Sequence, residues 1–132
     1  MDIKLTDLPK FHQADGSLVA FDKDGTLPFP VRRLFYIFGV PDGEVRANHA
    51  CMNSEFLAIC MNGKLKFSFN DGNSQDEVWL DSNSKVLHIP AATWIKVSDF
   101  SKDAILLMIA SKTYKESEYI NSFDEFLRRV NG

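Results

Sequence analysis

One short run of this sequence, residues 45–51, places an imidazole and a thiol two positions apart. If the run is a β-strand, alternate side chains share a face, so Val45, Ala47, His49 and Cys51 point to one side. The histidine and the thiol would then stand roughly 7 Å apart, which is two residue rises along a strand. Histidine acts as an acid or base near neutral pH. A thiol does so only where it is partly exposed and its pKa is lowered.

The length and composition of the chain restrict the class of protein that it belongs to. Its 132 residues fit a single domain, 1–132, with a sizeable core. Eleven phenylalanines favour an interior lined by β-sheet. The formal net charge is −3 without a basic cluster, which argues against nucleic acid or an anionic membrane surface as a partner. No apolar stretch has the length of a signal peptide or a membrane span.

The two cysteines, Cys51 and Cys60, are too few for a disulfide framework in a chain of this size. They predict a reduced, cytoplasmic protein. A bond between the two stays open at this point, because they fall on different predicted strands.

Strands and turns alternate along the chain at a spacing of roughly ten residues, which is typical of an all-β sandwich or barrel. The Asp-Gly pair at 15–16 and the Lys-Asp-Gly run at 23–25 predict turns. The Asn-Gly pair at 62–63 predicts a tight hairpin. The tail, 117–127, carries apolar residues at helical spacing and predicts short helices that cover an open end or face. The predicted strands are 3–12, 17–21, 32–40, 45–51, 54–61, 64–70, 77–80, 86–89, 94–97 and 104–111.

Short motifs follow one another in a fixed order over nearly the whole chain. They are Gly-Ser-Leu at 16–18, Pro-Phe at 28–29, Arg33 with Tyr-Ile at 36–37, Arg46 with His-Ala at 49–50, Gly63, Leu-Asp-Ser at 80–82, Ile-Pro at 89–90, Trp94, Asp-Phe-Ser at 99–101, Ala-Ser at 110–111 and the tail at 114–126. Together they resemble the cupin sugar 3,4-ketoisomerases, the WxcM-like family acting on dTDP-4-keto-6-deoxyglucose. The resemblance implies an all-β fold, a cupin-like jelly-roll β-barrel with a short C-terminal helical segment. It also implies a homodimer whose N-terminal strands cross to the partner subunit, without a metal or a redox cofactor.

The activity that the resemblance implies is a proton shift between C3 and C4 of a dTDP-linked 4-keto-6-deoxyhexose, in deoxy sugar synthesis for surface polysaccharide. Such a reaction needs a base for the C3 proton, α to the carbonyl, and groups that stabilise the enediol oxygens. The resemblance makes His49 that base. Cys51 stands where the family pattern, Arg-Gly-x-His-Ala-His, has its second histidine, and it is the weaker catalytic candidate. The substrate-binding candidates are Arg33, Tyr36, Arg46 and Asn48.

The two arginines suit a nucleotide-sugar diphosphate, because a guanidinium binds phosphate oxygens with a bidentate fork. Strict alternation, however, puts Arg33 and Tyr36 on opposite faces of one strand. Both line one pocket only if a bulge intervenes or if one of them serves the dimer partner. The sequence leaves these alternatives open.

Departures from the family pattern favour an alternative function. They fall at positions 15, 35, 51, 56 and 95, where Asp, Phe, Cys, Phe and Ile stand. The alternative is a non-catalytic or repurposed cupin that binds a nucleotide sugar or another carbohydrate. Trp79 and Trp94 are interpreted as core residues, with sugar stacking as the other possibility.

A third class is a metal-dependent cupin enzyme. Its ligands would come from His12, His49 and His88, with Cys51 and without an obvious carboxylate. These ligands are too few for a convincing metal centre, and no metal site is predicted.

Overall fold

A computed structural model describes residues 1–22 and 27–132, and antiparallel strands are its main regular structure. The turn predicted at 23–25 lies outside the described residues. A 3₁₀ turn, Glu116–Glu118, precedes the last strand, and the helix α1 (Phe123–Asn131) ends the chain. The strands are β1 (Lys4–Asp7), β2 (Lys10–Gln13), β3 (Gly16–Val19), β4 (Arg33–Phe38), β5 (Arg46–Cys51), β6 (Phe56–Asn62), β7 (Leu65–Asn70), β8 (Gln75–Leu80), β9 (Lys85–Ile89), β10 (Thr93–Ser98), β11 (Ile105–Ala110) and β12 (Tyr119–Ile120).

Two five-stranded sheets face each other. The strand order is β1-β9-β6-β11-β4 in the first sheet and β12-β5-β10-β7-β8 in the second. From β4 to β11 the chain passes from one sheet to the other at every connection except the β7–β8 hairpin, which is jelly-roll topology. The predicted cupin-like, all-β jelly roll is therefore confirmed.

The main core lies between the two sheets and follows the alternation of the sequence. Leu65, Phe67 and Phe69 on β7 are buried, and the residues between them are half-buried. Leu106 and Met108 on β11 meet them from the first sheet in the same cluster. This packing holds the two sheets at a fixed distance around the site described below.

The outer face of each sheet is covered separately. Leu8 and Phe29 pack on the first sheet. On the second, Phe126 of α1 is fully buried in a cluster with Ala50 and Trp94. Trp94 is thus a core residue, as predicted. Trp79 is not, because its side chain is 49% exposed and lies beneath the ammonium groups of two lysines.

The predicted short C-terminal helical segment is confirmed, but the first residues of the range 117–127 do not belong to its α-helix. Tyr119 and Ile120 pair with β5 as a strand, and the helix begins at Phe123 after the N-cap Ser122. The Ser122 hydroxyl accepts a hydrogen bond from the Glu125 backbone N–H. No helix of the described residues is long and apolar enough to cross a membrane.

The hairpin predicted at Asn62–Gly63 is also wrong. The strands on its two sides, β6 and β7, belong to different sheets. Gly63 has a positive φ of 72°, as the Asn-Gly pair suggests, but here it turns the chain from one sheet to the other. Ser101 fixes this corner, because its hydroxyl accepts from the Lys64 N–H and its own N–H donates to the Lys64 carbonyl.

Candidate active site

A bulge in β5 decides which of its side chains reach the interior. Ala47 and Asn48 both have positive φ, 66° and 61°. Against β10, His49 pairs with Ile95 and Arg46 with Val97, so the register shifts by one residue between them. Both partners are interior positions, and a shift of one residue moves a side chain to the other face.

The strict alternation predicted for 45–51 is therefore corrected. Arg46 and His49 are three residues apart and would lie on opposite faces of a regular strand. The extra residue of the bulge brings both to the border of one cavity.

The cavity lies between the two sheets and has a volume of about 230 Å³. Its wall is mostly apolar, with Phe35, Phe56, Ile95 and Met108 among the contributors. No carboxylate of the described residues borders it. Its polar border consists of Arg33, Arg46, His49, Tyr114 and Tyr119.

His49 enters this cavity as a half-buried, neutral base. Burial lowers the pKa of its imidazole from 6.5, because desolvation disfavours the charged form. The edge of its ring meets the Tyr119 ring, with a centroid distance of 4.8 Å and an interplanar angle of 78°. No group of the described residues hydrogen-bonds either ring nitrogen. Both nitrogens are therefore available to a ligand.

Arg33 lies beside this histidine in an aromatic setting. Its Nη1 donates to the Tyr119 hydroxyl at 2.9 Å. Its guanidinium carbon is 4.4 Å from the Phe35 ring centroid and 5.0 Å from that of Tyr114. Such cation–π contacts orient a guanidinium without neutralising it.

Arg46 adds a second positive charge at the rim, where its side chain is exposed. Neither arginine forms an ion pair with a carboxylate of the described residues. Two guanidiniums without a counter-ion beside an apolar cavity attract an anionic ligand and stabilise negative charge that develops in it.

Cys51 does not meet the conditions for a reactive thiol. It is buried beneath Tyr119, its partner in the β5–β12 pair, and it does not border the cavity. Burial raises the pKa of the thiol to about 12, and the Tyr119 hydroxyl lies within hydrogen-bonding contact of it. A group so rarely ionised is a poor base, so the catalytic role expected for Cys51 is corrected. Both cysteines are free in the structure.

Tyr36 and Asn48 lie away from the cavity. β4 pairs with β11 in a regular register, so Tyr36 points outward from the strand and is 62% exposed. Asn48, the extra residue of the bulge, borders a groove on the outer face with Trp94 and Lys96. Tyr36 borders an outer groove together with Arg46, and the contacts with the substrate predicted for Tyr36 and Asn48 stay predictions.

A family model described as FdtA: WxcM-like, C-terminal matches residues 1–131. The chain belongs to this family. It is 34% identical over 130 residues to the TDP-4-oxo-6-deoxy-alpha-D-glucose-3,4-oxoisomerase of Aneurinibacillus thermoaerophilus, which covers 98% of this chain and 94% of that protein.

Solved structures of similar proteins superpose closely on this family member. A 3,4-ketoisomerase from Helicobacter canadensis has a TM-score of 0.96 at 34% identity, over 100% of this chain and 99% of the other. WlaRA, a TDP-fucose-3,4-ketoisomerase from Campylobacter jejuni, has a TM-score of 0.94 at 32% identity, over 99% and 97% of the two chains. The likeness extends over the entire fold, including both sheets that border the cavity.

The departures noted in the sequence have different locations in this family member. Phe35, Phe56 and Ile95 border the cavity and make its wall apolar. Cys51 lies behind Tyr119, and Asp15 lies in the turn of the β2–β3 hairpin. Three of the five changes therefore alter the cavity surface directly.

The histidines considered as metal ligands do not converge. His12 bonds to the Ser17 hydroxyl in the β2–β3 hairpin, and His88 lies 2.9 Å from a Glu55 carboxylate oxygen. Only His49 borders the cavity. Among the residues that the structure describes, no group of three or more potential ligands could hold a metal ion.

Two tyrosines of the site, Tyr114 and Tyr119, were not among the residues singled out from the sequence. Tyr119 looked like part of a helix, because its spacing from Ile120 and Phe123 fits a helical face. The signal that separates it is Ser122 followed by Glu125, the spacing of a capping box, which starts the helix after Tyr119.

Proposed function

We propose that this protein interconverts the 4-keto and 3-keto forms of a TDP-linked 6-deoxyhexose. Its full-length similarity to a TDP-4-oxo-6-deoxyglucose 3,4-oxoisomerase and to 3,4-ketoisomerase structures supports this function. The observation that carries the proposal is the cavity in which His49, kept neutral by burial, lies beside two arginines without counter-ions.

The proposed reaction begins when His49 removes the proton from C3 of the sugar. That proton is acidic because it lies α to the C4 carbonyl, and the negative charge moves to the carbonyl oxygen as it leaves. A neutral imidazole is the form that accepts a proton, and the positive charge of Arg33 at the cavity border stabilises the negative charge that develops as the proton leaves. The proton then returns at C4 instead of C3, while O3 loses its hydroxyl proton and O4 gains one, which leaves the carbonyl at C3 and completes the isomerisation.

The size of the cavity suggests which part of the substrate enters it. Its volume of about 230 Å³ is below the roughly 300–1,000 Å³ of pockets that enclose drug-sized ligands. We therefore place the hexose ring inside and the nucleotide outside. Arg46, exposed at the rim, then meets the diphosphate that joins the two.

Proton NMR of TDP-4-keto-6-deoxyglucose in deuterated water tests the function. We expect loss of the C3 proton signal and appearance of the 3-keto product with the wild-type protein. His49→Ala should lower both rates at least about 100-fold, the usual contribution of a general base. His88→Gln is the matched control, because that histidine lies outside the cavity and a glutamine retains a hydrogen-bond donor for Glu55. An inactive wild-type protein would rule the proposal out.

A carbohydrate-binding protein without turnover is the second candidate. The apolar residues Phe56 and Ile95 in the cavity wall favour it, because each leaves one less polar contact for a reacting sugar. This candidate requires that the same NMR experiment shows no exchange at C3. It also requires that thermal denaturation shows a clear rise in unfolding temperature when TDP is added.

We also propose a homodimer in the cytoplasm. The dimer is supported by exposed apolar residues on the edge strand β4 and on the β2–β3 hairpin, among them Phe38 and Phe11. The location is supported by two free cysteines. The product is proposed to serve deoxy sugar synthesis for surface polysaccharide, as the resemblance implies.

A further inference from the structure

The backbone at Tyr119 is held at the cavity border by the hydrogen bonds of the residue before it. The neighbouring Glu118 is buried, and its carboxylate accepts hydrogen bonds from the backbone N–H groups of Asn53, at 3.0 Å, and of Ser54. The Glu118 carbonyl accepts from the Met52 N–H at 3.2 Å. These bonds fix the strand pair of β12 with β5 at the residue before Tyr119.

The side chain of Tyr119 is also held in position, through its hydroxyl and its ring. Its oxygen accepts the Nη1–H of Arg33 at 2.9 Å, and its ring meets the edge of His49. The phenol and the imidazole are therefore neighbours on one wall of the cavity. Burial raises the pKa of Tyr119 above its usual value of 10.0, so the group is a neutral hydroxyl that can donate.

The proposed reaction needs a second group that carries protons. His49 serves the carbon atoms C3 and C4, but the two oxygens also exchange a proton, since O4 gains one and O3 loses one. No carboxylate of the described residues borders the cavity, and a guanidinium does not release its proton. This leaves the two phenols.

Tyr119 is the better placed of these phenols. Tyr114 is 60% exposed, and its hydroxyl makes no hydrogen bond within the described residues. Its ring contacts that of Tyr119, with a centroid distance of 5.4 Å. Only the Tyr119 hydroxyl is held by Arg33.

We propose that Tyr119 is the catalytic acid and base for the sugar oxygens, paired with His49 as the acid and base for the sugar carbons. This rests on the proposed ketoisomerase function. In the first half-reaction, His49 accepts the C3 proton and the C3–H electron pair becomes the C3=C4 bond. The π pair of the C4 carbonyl takes the phenolic proton, which gives an enediol and a phenolate.

In the second half-reaction the same two groups return to their starting states. The Tyr119 phenolate accepts the proton of the O3 hydroxyl, and an O3 electron pair forms the C3 carbonyl. The C3=C4 pair takes the proton from His49 at C4. Arg33 stabilises the phenolate in between, through the hydrogen bond that it already makes. No redox step or co-reactant enters this balance.

Tyr119→Phe tests the assignment, because it removes the hydroxyl and keeps the ring against His49. With TDP-4-keto-6-deoxyglucose we expect kcat to fall at least about 100-fold while KM changes less than about threefold. Exchange at C3 and formation of product should fall together, because the enediol forms only when O4 receives the phenolic proton. Tyr114→Phe is the matched comparison and should lower kcat less than about tenfold.

Two results would overturn the assignment. One is wild-type kcat in Tyr119→Phe. The other is wild-type exchange at C3 in that variant, since the enediol would then form without the phenol. Rates are compared at a temperature at which thermal denaturation shows both proteins to be folded. An inactive wild-type protein would instead refute the ketoisomerase function itself, so the two failures are distinguishable.

Discussion

His49 is oriented by contact with an aromatic ring and not by a hydrogen bond. The Tyr119 ring lies against it, and no described group bonds either of its nitrogens. A histidine oriented by a carboxylate has one fixed tautomer and a higher basicity. Here neither effect operates. This freedom suits a base that takes a proton from one carbon and returns it to the neighbouring one.

The pH dependence of activity follows from the burial of this histidine. Burial lowers the pKa of His49 below 6.5, and no carboxylate of the described residues borders the cavity to oppose this shift. The neutral form is the active one, so kcat/KM should be level above that pKa and fall about tenfold per pH unit below it. Rates measured between pH 4.5 and 8 locate the pH at which kcat/KM begins to fall, with thermal unfolding at each pH as the control. A fall that begins at or above pH 6.5 would contradict this account.

At the scale of single elements, β5 owes its function to an irregularity. Ala47 and Asn48 adopt left-handed conformations, which asparagine tolerates and alanine does not favour. Their bulge lets Arg46 and His49 border the same cavity. Without the bulge, a regular strand would direct only one of these two side chains to the cavity. The local strain at Ala47 and Asn48 thus allows both to reach it.

Ala47→Gly should therefore stabilise the fold. A left-handed residue with a Cβ costs about 1–2 kcal/mol, whereas the added freedom of glycine in the unfolded chain costs about 0.4–1 kcal/mol. We expect a net gain of about 0.5–1 kcal/mol in the free energy of unfolding, measured with urea. Ala91→Gly is the control, because that residue has no positive φ and should lose stability. Equal losses in both variants would show that the bulge is unstrained.

The sequence predicts most strands, because alternating apolar residues and turn residues act within a few positions of each other. It also indicates three residues that the cavity brings together, Arg33, Arg46 and His49. It does not reveal the bulge, since an alanine carries no mark of a left-handed conformation. Nor does it reveal β12, a two-residue strand whose existence depends on pairing with the distant β5. Tyr119 was missed for that reason.

At the scale of the whole molecule, the two sheets differ in what covers them. The helix α1 covers part of the outer face of the second sheet, and the N-terminal segments cover part of the first. The edge strand β4 keeps Leu34, Tyr36 and Phe38 exposed by 57%, 62% and 66% on its outer face. The β2–β3 hairpin, which pairs with no other described strand, exposes further apolar residues. Apolar groups on an open edge and on a separate hairpin are typical of a surface that another chain covers.

We expect this surface to join two copies of the chain, because a second copy offers the same exposed strand edge and the same hairpin. Light scattering after gel filtration should then give twice the chain mass of 15.0 kDa. Phe38→Glu should return the protein to the mass of one chain, since an interface of this kind does not accept an unpaired buried charge. Trp79→Glu is the control, because that exposed aromatic lies beneath the ammonium groups of Lys64 and Lys66, which can pair with the new carboxylate. A wild-type protein that elutes as a single chain would refute the dimer. A dimer joined at this surface would place Tyr36 at the subunit contact. The sequence left open that Tyr36 contributes to the site of the partner subunit, and that alternative requires such a position.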